Sequence, residues 1–321
     1  MKGHRMKRSS WLARLAVGTL GACLLLTGCG PTPKPEPTYT IPLPPSSDSA
    51  TETAPSEPTS EAPSTTAELP SQVETEVPPV AARDEAFQSE QSGGQVDVNN
   101  YLVAVIKDAD RVWTDYFKKI GGREPQVTYH ILGADTARGQ EASFTSKCAS
   151  SFDSAGKPVY TTVDTDYPNA FYCTLDDNGV GGIVLPLNTF ARMWSGNVDN
   201  RQSKHAGDFA AATLAAHEFG HHVADELKQQ FTLPDVKGAN KEILADCFSG
   251  VWAYTAFYSG YLESGDVDEA IAAVESIGDP KPGGVDPHGS AEQRGTAWKL
   301  GYNTGAPAKC ITAYWPGVTF K

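Results

Sequence analysis

His217-Glu218-Phe219-Gly220-His221 brings together the residue types and spacing of a metal-assisted hydrolytic device. Residues four apart share one face of a helix, so both imidazoles can reach one zinc ion. Glu218 then lies beside the place where a zinc-held water would sit. Zinc lowers the pKa of such a water towards about 7, and a carboxylate can take its proton as the oxygen attacks a carbonyl carbon. The pattern thus assigns His217 and His221 to the metal and Glu218 to general base catalysis.

A catalytic zinc needs a third protein ligand and an open fourth position. One arrangement extends the same segment and requires glycine at 224 and histidine at 227; the chain has Ala224 and Leu227, which excludes it. Asp225 is the next carboxylate, but it lies two turns beyond His217 on the same helix and reads as a surface acid. Glu242 and Asp246 are better placed, four apart on a second helical stretch rich in Ile243, Leu244, Ala245, Phe248, Val251 and Trp252. Unpaired acids are costly on so apolar a helix. Glu242 is therefore expected to bind the metal, and Asp246 to accept the outer N–H of a ligand histidine and fix its tautomer.

The elements that must hold these residues are legible from periodicity. Tyr101, Leu102, Val105, Ile106, Ala109, Val112, Trp113, Phe117 and Ile120 recur at helical spacing, with Gly121-Gly122 as a stop. Val127–Leu132 reads as a strand. Two further strands, at 170–175 and 182–187, flank the turn residues Asp177-Asn178-Gly179 and predict a hairpin. The Gly/Ser/Thr-rich stretch around Cys148 has no clear period. Asp208 is expected to cap a helix running to about Gln230, and a second long helix opens near Asn240. Asp266 with Glu269, and Ser290 with Gln293, have capping-box spacing and open two more helices. A small sheet followed by helices is an α+β layout.

Upstream of residue 96 the chain changes character. Residues 1–29 read as an export signal: a basic stretch through Arg8, an apolar run from Trp11 to Leu26, then Leu26-Thr27-Gly28-Cys29, which looks like a bacterial lipobox with Cys29 as the lipidated residue. Residues 30–95, dominated by Pro, Ser, Thr, Glu and Ala, are expected to form an unfolded tether. The catalytic domain is then 96–321, held on the extracytoplasmic face of the cell membrane through its lipid. Cys148, Cys173, Cys247 and Cys310 suit an oxidising compartment; chain order favours pairing Cys148 with Cys173 and Cys247 with Cys310. A net charge of −13 argues against a nucleic-acid surface.

With these residues in hand, about 100–315 resembles the neutral zinc metallopeptidase family of bacteria, a gluzincin-like branch of the zincins. The resemblance rests on His217 to His222, on Glu242–Ala253 (EILADCFSGVWA, similar to the family's ELQADCFAGVWA), on Phe171-Tyr172-Cys173, and on His288-Gly289-Ser290 with Glu292-Gln293-Arg294. It implies a zincin-like fold, zinc at the first two segments and disulfides at the Cys positions. The departures, Ile243-Leu244, Val223-Ala224 and the Thr/Asp-rich 157–168, touch no expected ligand.

Two further expectations follow from the zincin resemblance. Zincins stabilise the developing oxyanion with a group opposite the base, and His288 is the first candidate, with Tyr302 and Arg294 behind it; the plainer role for His288 is a structural hydrogen bond at a helix entry. Zincins also place an edge strand before the metal helix to pair with an extended peptide, which makes a peptide or protein the expected substrate. Ile183–Leu187 occupies that place, and Pro186 favours an edge position. His222 points about 100° away from its neighbouring ligand and is expected to pack, while His130 and His205 read as structural or solvated. The expected molecule is a monomeric, lipid-anchored zinc metallopeptidase. Its rivals are a non-catalytic zinc-containing binding module and a zinc amidase acting on cell-wall material.

Overall fold

The computed structural model describes residues 67–69, 98–195, 197–198, 201–202, 207–280 and 287–320. The expected signal with Cys29, most of the expected tether and His205 lie outside them. The elements run β1 (Ala67–Leu69), α1 (Val98–Lys119), β2 (Thr128–Leu132), β3 (Ser143–Phe152), β4 (Pro158–Asp164), β5 (Phe171–Cys173) and β6 (Gly182–Pro186). They continue through α2 (Leu187–Trp194), β7 (Asn197–Val198), β8 (Arg201–Gln202), α3 (Asp208–Phe231), α4 (Asn240–Tyr258), α5 (Asp266–Ser276), α6 (Ala291–Thr304), α7 (Pro307–Tyr314) and β9 (Val318–Phe320). Small sheets and seven helices among the described residues make a mixed α+β fold. No described helix is long and apolar enough to cross a membrane.

Two helices form the centre. Every residue of α3 from Asp208 to Gly220 is buried, as is every residue of α4 from Ile243 to Ala256, so neither has the wet stripe of a surface helix. The amphipathic α1 covers them: Trp113 meets Phe248 edge-on, and the Trp252 indole N–H donates to the buried Asp108 carboxylate at 3.0 Å. α3 begins at Asp208 with Gly207 as its cap, so Asp208 is the first helical residue and not the capping side chain. The same one-residue shift holds at α5, where Gly265 and not Asp266 is the cap. At α6 the expected capping box is present: the Ser290 hydroxyl accepts from the Gln293 N–H, and the Gln293 side chain accepts from the Ser290 N–H.

The main sheet has the order β2-β6-β5, with β2 parallel and β5 antiparallel to β6. The predicted hairpin is thus formed, but its second strand is central. Ile183 and Pro186 belong to a strand paired on both sides, and the edge strands are β2 and β5. Pro186 is tolerated because it is the last residue of the ladder and the cap of α2, where a missing N–H breaks nothing. The stretch without clear period is a second hairpin, β3 with β4, pinned to the sheet by a Cys148–Cys173 disulfide; Cys247–Cys310 joins α4 to α7.

One strand departs from the sequence expectation. Ala67–Leu69 falls inside the expected tether, yet β1 pairs in parallel with β9. The physical contributors are Leu69, an apolar side chain fully buried at 0 % exposure whose burial is worth about 2 kcal/mol, and the pairing with β9, which together act against the cost of ordering three residues. Composition averaged over 30–95 hides such a residue.

His130 on β2 is structural in a specific way. Its Nδ1 lies 2.6 Å from Glu141 and its Nε2 2.8 Å from Asp177, while its ring stacks on Phe144 at 3.9 Å. With a carboxylate at each nitrogen, both nitrogens donate and the ring is a cation. Burial alone would lower the His130 pKa, but the hydrogen bonds to Asp177 and Glu141 outweigh it and raise it. A raised folded pKa means that the stabilisation is complete below the unfolded value, about 6.5, and is lost as pH rises through the folded one. The loss of melting temperature caused by His130→Asn should therefore be greater at pH 6 than at pH 9. Because Glu141 and Asp177 are partly exposed, the difference should be modest, on the order of 2 °C. Equal losses at both pH values would contradict the cationic clasp.

Candidate metal centre

α3 and α4 cross at Gly220, the fourth residue of the His-Glu-Phe-Gly-His segment. A Cβ there would lie 2.6 Å from the Ala245 carbonyl oxygen, closer than real side chains come, so only glycine lets the two backbones touch. A hydrogen bond from the Ser249 hydroxyl to the Thr213 carbonyl at 2.8 Å fastens the same crossing one turn away. On the far side of α4, Gly250 and Gly301 allow a similar backbone approach of α6. Three helices thereby bring His217, Glu218, His221, Glu242, Asp246 and Arg294 into one place. The spacing of the two histidines and Glu218 by itself gives Gly220 no role.

His217 Nε2 lies 3.3 Å from one oxygen of Glu242, and His221 Nε2 lies 3.5 Å from the other. A tetrahedron with bonds of about 2.0–2.1 Å has edges of roughly 3.4 Å, the size of each of these nitrogen–oxygen distances, which end on different oxygens of the one carboxylate. His217, His221 and Glu242 each offer one ligand atom, all within 4.8 Å of one another. The chemistry of the set, two imidazoles and a carboxylate, also suits zinc. His217 is buried at 3 % exposure, whereas His221 and Glu242 are about one-fifth exposed, so the site opens to solvent on their side.

Asp246, completely buried, accepts from His217 Nδ1 at 2.8 Å, which fixes the ring orientation and leaves Nε2 for a metal. Burial alone would lower the His217 pKa, but Asp246 and Glu242 outweigh it and push it up to about 10. Burial would raise Glu242, yet the two histidines hold it well below the usual carboxylate range. Glu218 is raised, chiefly by burial, with the histidines and Arg294 acting against the shift.

The other expected site residues are spread more widely. His288 is half exposed and its partner is Asp279, whose carboxylate accepts from the His288 backbone N–H at 2.6 Å and faces Nδ1 at 3.3 Å. The adjoining Gly289 packs on Ile243, next to Glu242. Tyr302 is not at the site; it is buried against Trp298 and Phe257. Arg294 is at the site but committed to Asp246 and to the Ile277 carbonyl, so it presents no free fork to an oxyanion. His222 is fully buried between Phe219 and Tyr172, and burial pushes its pKa down to about 4. Asp225 is not a solvated acid: it accepts from the Tyr172 hydroxyl at 3.0 Å and from Gln229 at 2.7 Å.

A family model described as "Putative neutral zinc metallopeptidase" matches residues 68–313. The chain belongs to that family. The match begins inside β1, in keeping with the buried Leu69. Among relatives, the chain is 34% identical over 164 residues to the uncharacterized protein YpfJ of Escherichia coli, covering 44% of this chain and 53% of that one. It is 35% identical over 131 residues to the uncharacterized protein Rv2575 of Mycobacterium tuberculosis, covering 33% and 45% respectively. The chain thus spans about half the length of the curated relatives it matches. No solved structure matches it.

Proposed function

We propose that this chain is a zinc-dependent peptidase in which His217, His221 and Glu242 hold the metal and Glu218 is the general base. The observation that carries the reading is the convergence of two imidazoles and one carboxylate, with ligand atoms within 4.8 Å of one another, where the site opens to solvent and the helix of the two histidines also carries the buried Glu218. Zinc, when bound, supplies the Lewis acidity that activates a water and polarises a carbonyl. Glu218 accepts the proton of that water and returns it to the leaving amine. Its burial favours this role, because a poorly solvated carboxylate is a better acceptor. Asp246 keeps the His217 ring turned so that Nε2 faces the centre.

We assign an extended peptide to the edge strand β5, which pairs with β6 on one side and packs on α3 through Tyr172, by backbone pairing along its other side. His288 is our candidate for the oxyanion donor, on the loop beside the start of α4. Cys29, lipidated and left as the new N-terminus when the export signal is removed, would hold the enzyme at the outer face of the membrane. Cys29→Ser should then release the protein from the membrane fraction or block its maturation; a variant of mature size still in the membrane fraction would contradict the anchor.

Metal analysis of the full-length protein tests the assignment. One zinc per chain is expected, and Glu242→Gln should weaken binding by well over an order of magnitude, because one of three protein ligands is lost. Zinc retained at wild-type affinity in that variant would remove Glu242 from the ligand set. A peptide-library digest of the zinc-loaded wild type tests the activity: cleavage supports the peptidase, and zinc without cleavage supports the non-catalytic module.

A further inference from the structure

We propose that Arg294 is a positioning residue for the metal centre, acting through Asp246 on His217; the proposal rests on the zinc reading above. Arg294 stands on α6, is 1 % exposed, and reaches across the α4–α6 crossing to the completely buried Asp246. Its Nε donates to Oδ2 at 2.7 Å and its Nη2 to Oδ1 at 3.0 Å, a two-point fork that fixes the carboxylate plane. The Oδ1 held in this way is the atom that receives His217 Nδ1 at 2.8 Å. Nη1 donates to the Ile277 carbonyl at 3.2 Å, which anchors the guanidinium from behind.

The charges explain why an arginine is needed. A ligand imidazole is neutral, so His217 cannot balance the buried Asp246 once it holds a metal. A metal's own charge would lie beyond the imidazole, whereas Arg294 gives the buried Asp246 a permanent counter-charge in direct contact. Nη2 is also 3.4 Å from both ring nitrogens of His217, equidistant, so it sits astride the ring and not on the lone pair that a metal needs. Arg294 carries positive charge near a cation site, with Nη2 3.8 Å from Glu242. On charge alone its removal would strengthen metal binding. Positioning predicts the opposite sign, and this separates the two roles.

The test is a double-mutant cycle on the full-length protein, read as zinc affinity by competition with a chromophoric chelator and as the visible absorption of the cobalt-loaded protein. Arg294→Gln should weaken zinc binding about 10- to 100-fold, and Asp246→Asn by a similar factor. The double variant should be no weaker than Asp246→Asn alone, because Arg294 has nothing left to hold. Arg294→Lys keeps the charge but not the fork, and should recover only part of the loss with an altered cobalt spectrum. Wild-type or tighter affinity in Arg294→Gln, additive losses, or full recovery by lysine would each overturn the proposal. Should Arg294→Gln fail to fold, the lysine variant against wild type and the double variant against Asp246→Asn decide by the same criteria. A wild-type protein that binds no zinc overturns the zinc reading and this proposal together, whereas zinc binding indifferent to Arg294 overturns this proposal alone.

Discussion

If the proposed reading holds, Glu218→Gln is expected to bind zinc as the wild type does and to lose the peptide cleavage measured for the wild type. The substitution keeps the shape of the side chain and leaves His217, His221 and Glu242 untouched, so the donor set stays at its spacing. It removes the proton acceptor, and proton-transfer catalysis is typically worth about 10²- to 10⁴-fold, which sets the minimum fall in turnover. The comparison requires zinc content and cleavage rate on the same preparation. Near wild-type cleavage with full zinc would refute the general-base role. Loss of zinc with loss of activity would instead make Glu218 part of the metal-holding set.

Gly220→Ala is expected to be strongly damaging, because it adds a methyl group between the two helices that carry His217 and Glu242. The new Cβ would meet the Ala245 backbone at 2.6 Å, and a backbone cannot yield as a flexible side chain can. Overpacking of this kind costs about 1–3 kcal/mol, and the upper end applies where two fully buried helices must separate. A loss of about 3 kcal/mol corresponds to roughly 6–12 °C in melting temperature for a domain of this size. Because Glu242 and Asp246 ride on the displaced helix, zinc affinity should fall with it. A variant with wild-type melting temperature and zinc affinity would show that the α3–α4 contact does not set the ligand spacing.

Much of the site was legible because its parts are local. The two histidines and Glu218 are related by one helical turn, and the Glu242–Asp246 pair by another, so spacing alone put each set on one face. The Ser290 capping box, the hairpin around Asp177-Asn178-Gly179 and the pairing of the four cysteines were equally open to reading, since each depends on near neighbours or on chain order. The β3–β4 hairpin was missed because its largely Ser/Thr-rich strands are half solvated and lack an apolar alternation. The position of Pro186 misled because a proline marks either a sheet edge or the end of a strand, and only the partners of β6 tell which.

Tertiary structure decided everything that depends on how close two helices lie. Spacing alone put His217 with His221 on one helix and Glu242 with Asp246 on another, but not that Gly220 would let those helices meet at backbone contact, nor that Gly250 and Gly301 would do the same for α6. Arg294 is 48 residues from Asp246, and nothing in the types of either predicts their fork. The same holds for Leu69, buried against the body of the domain from within a segment whose average composition describes an unfolded chain. Local spacing is set by the covalent backbone and can be read directly. Distances between elements arise from side-chain volumes summed over the whole core, where one missing methyl group determines whether two carboxylates and two imidazoles share a site.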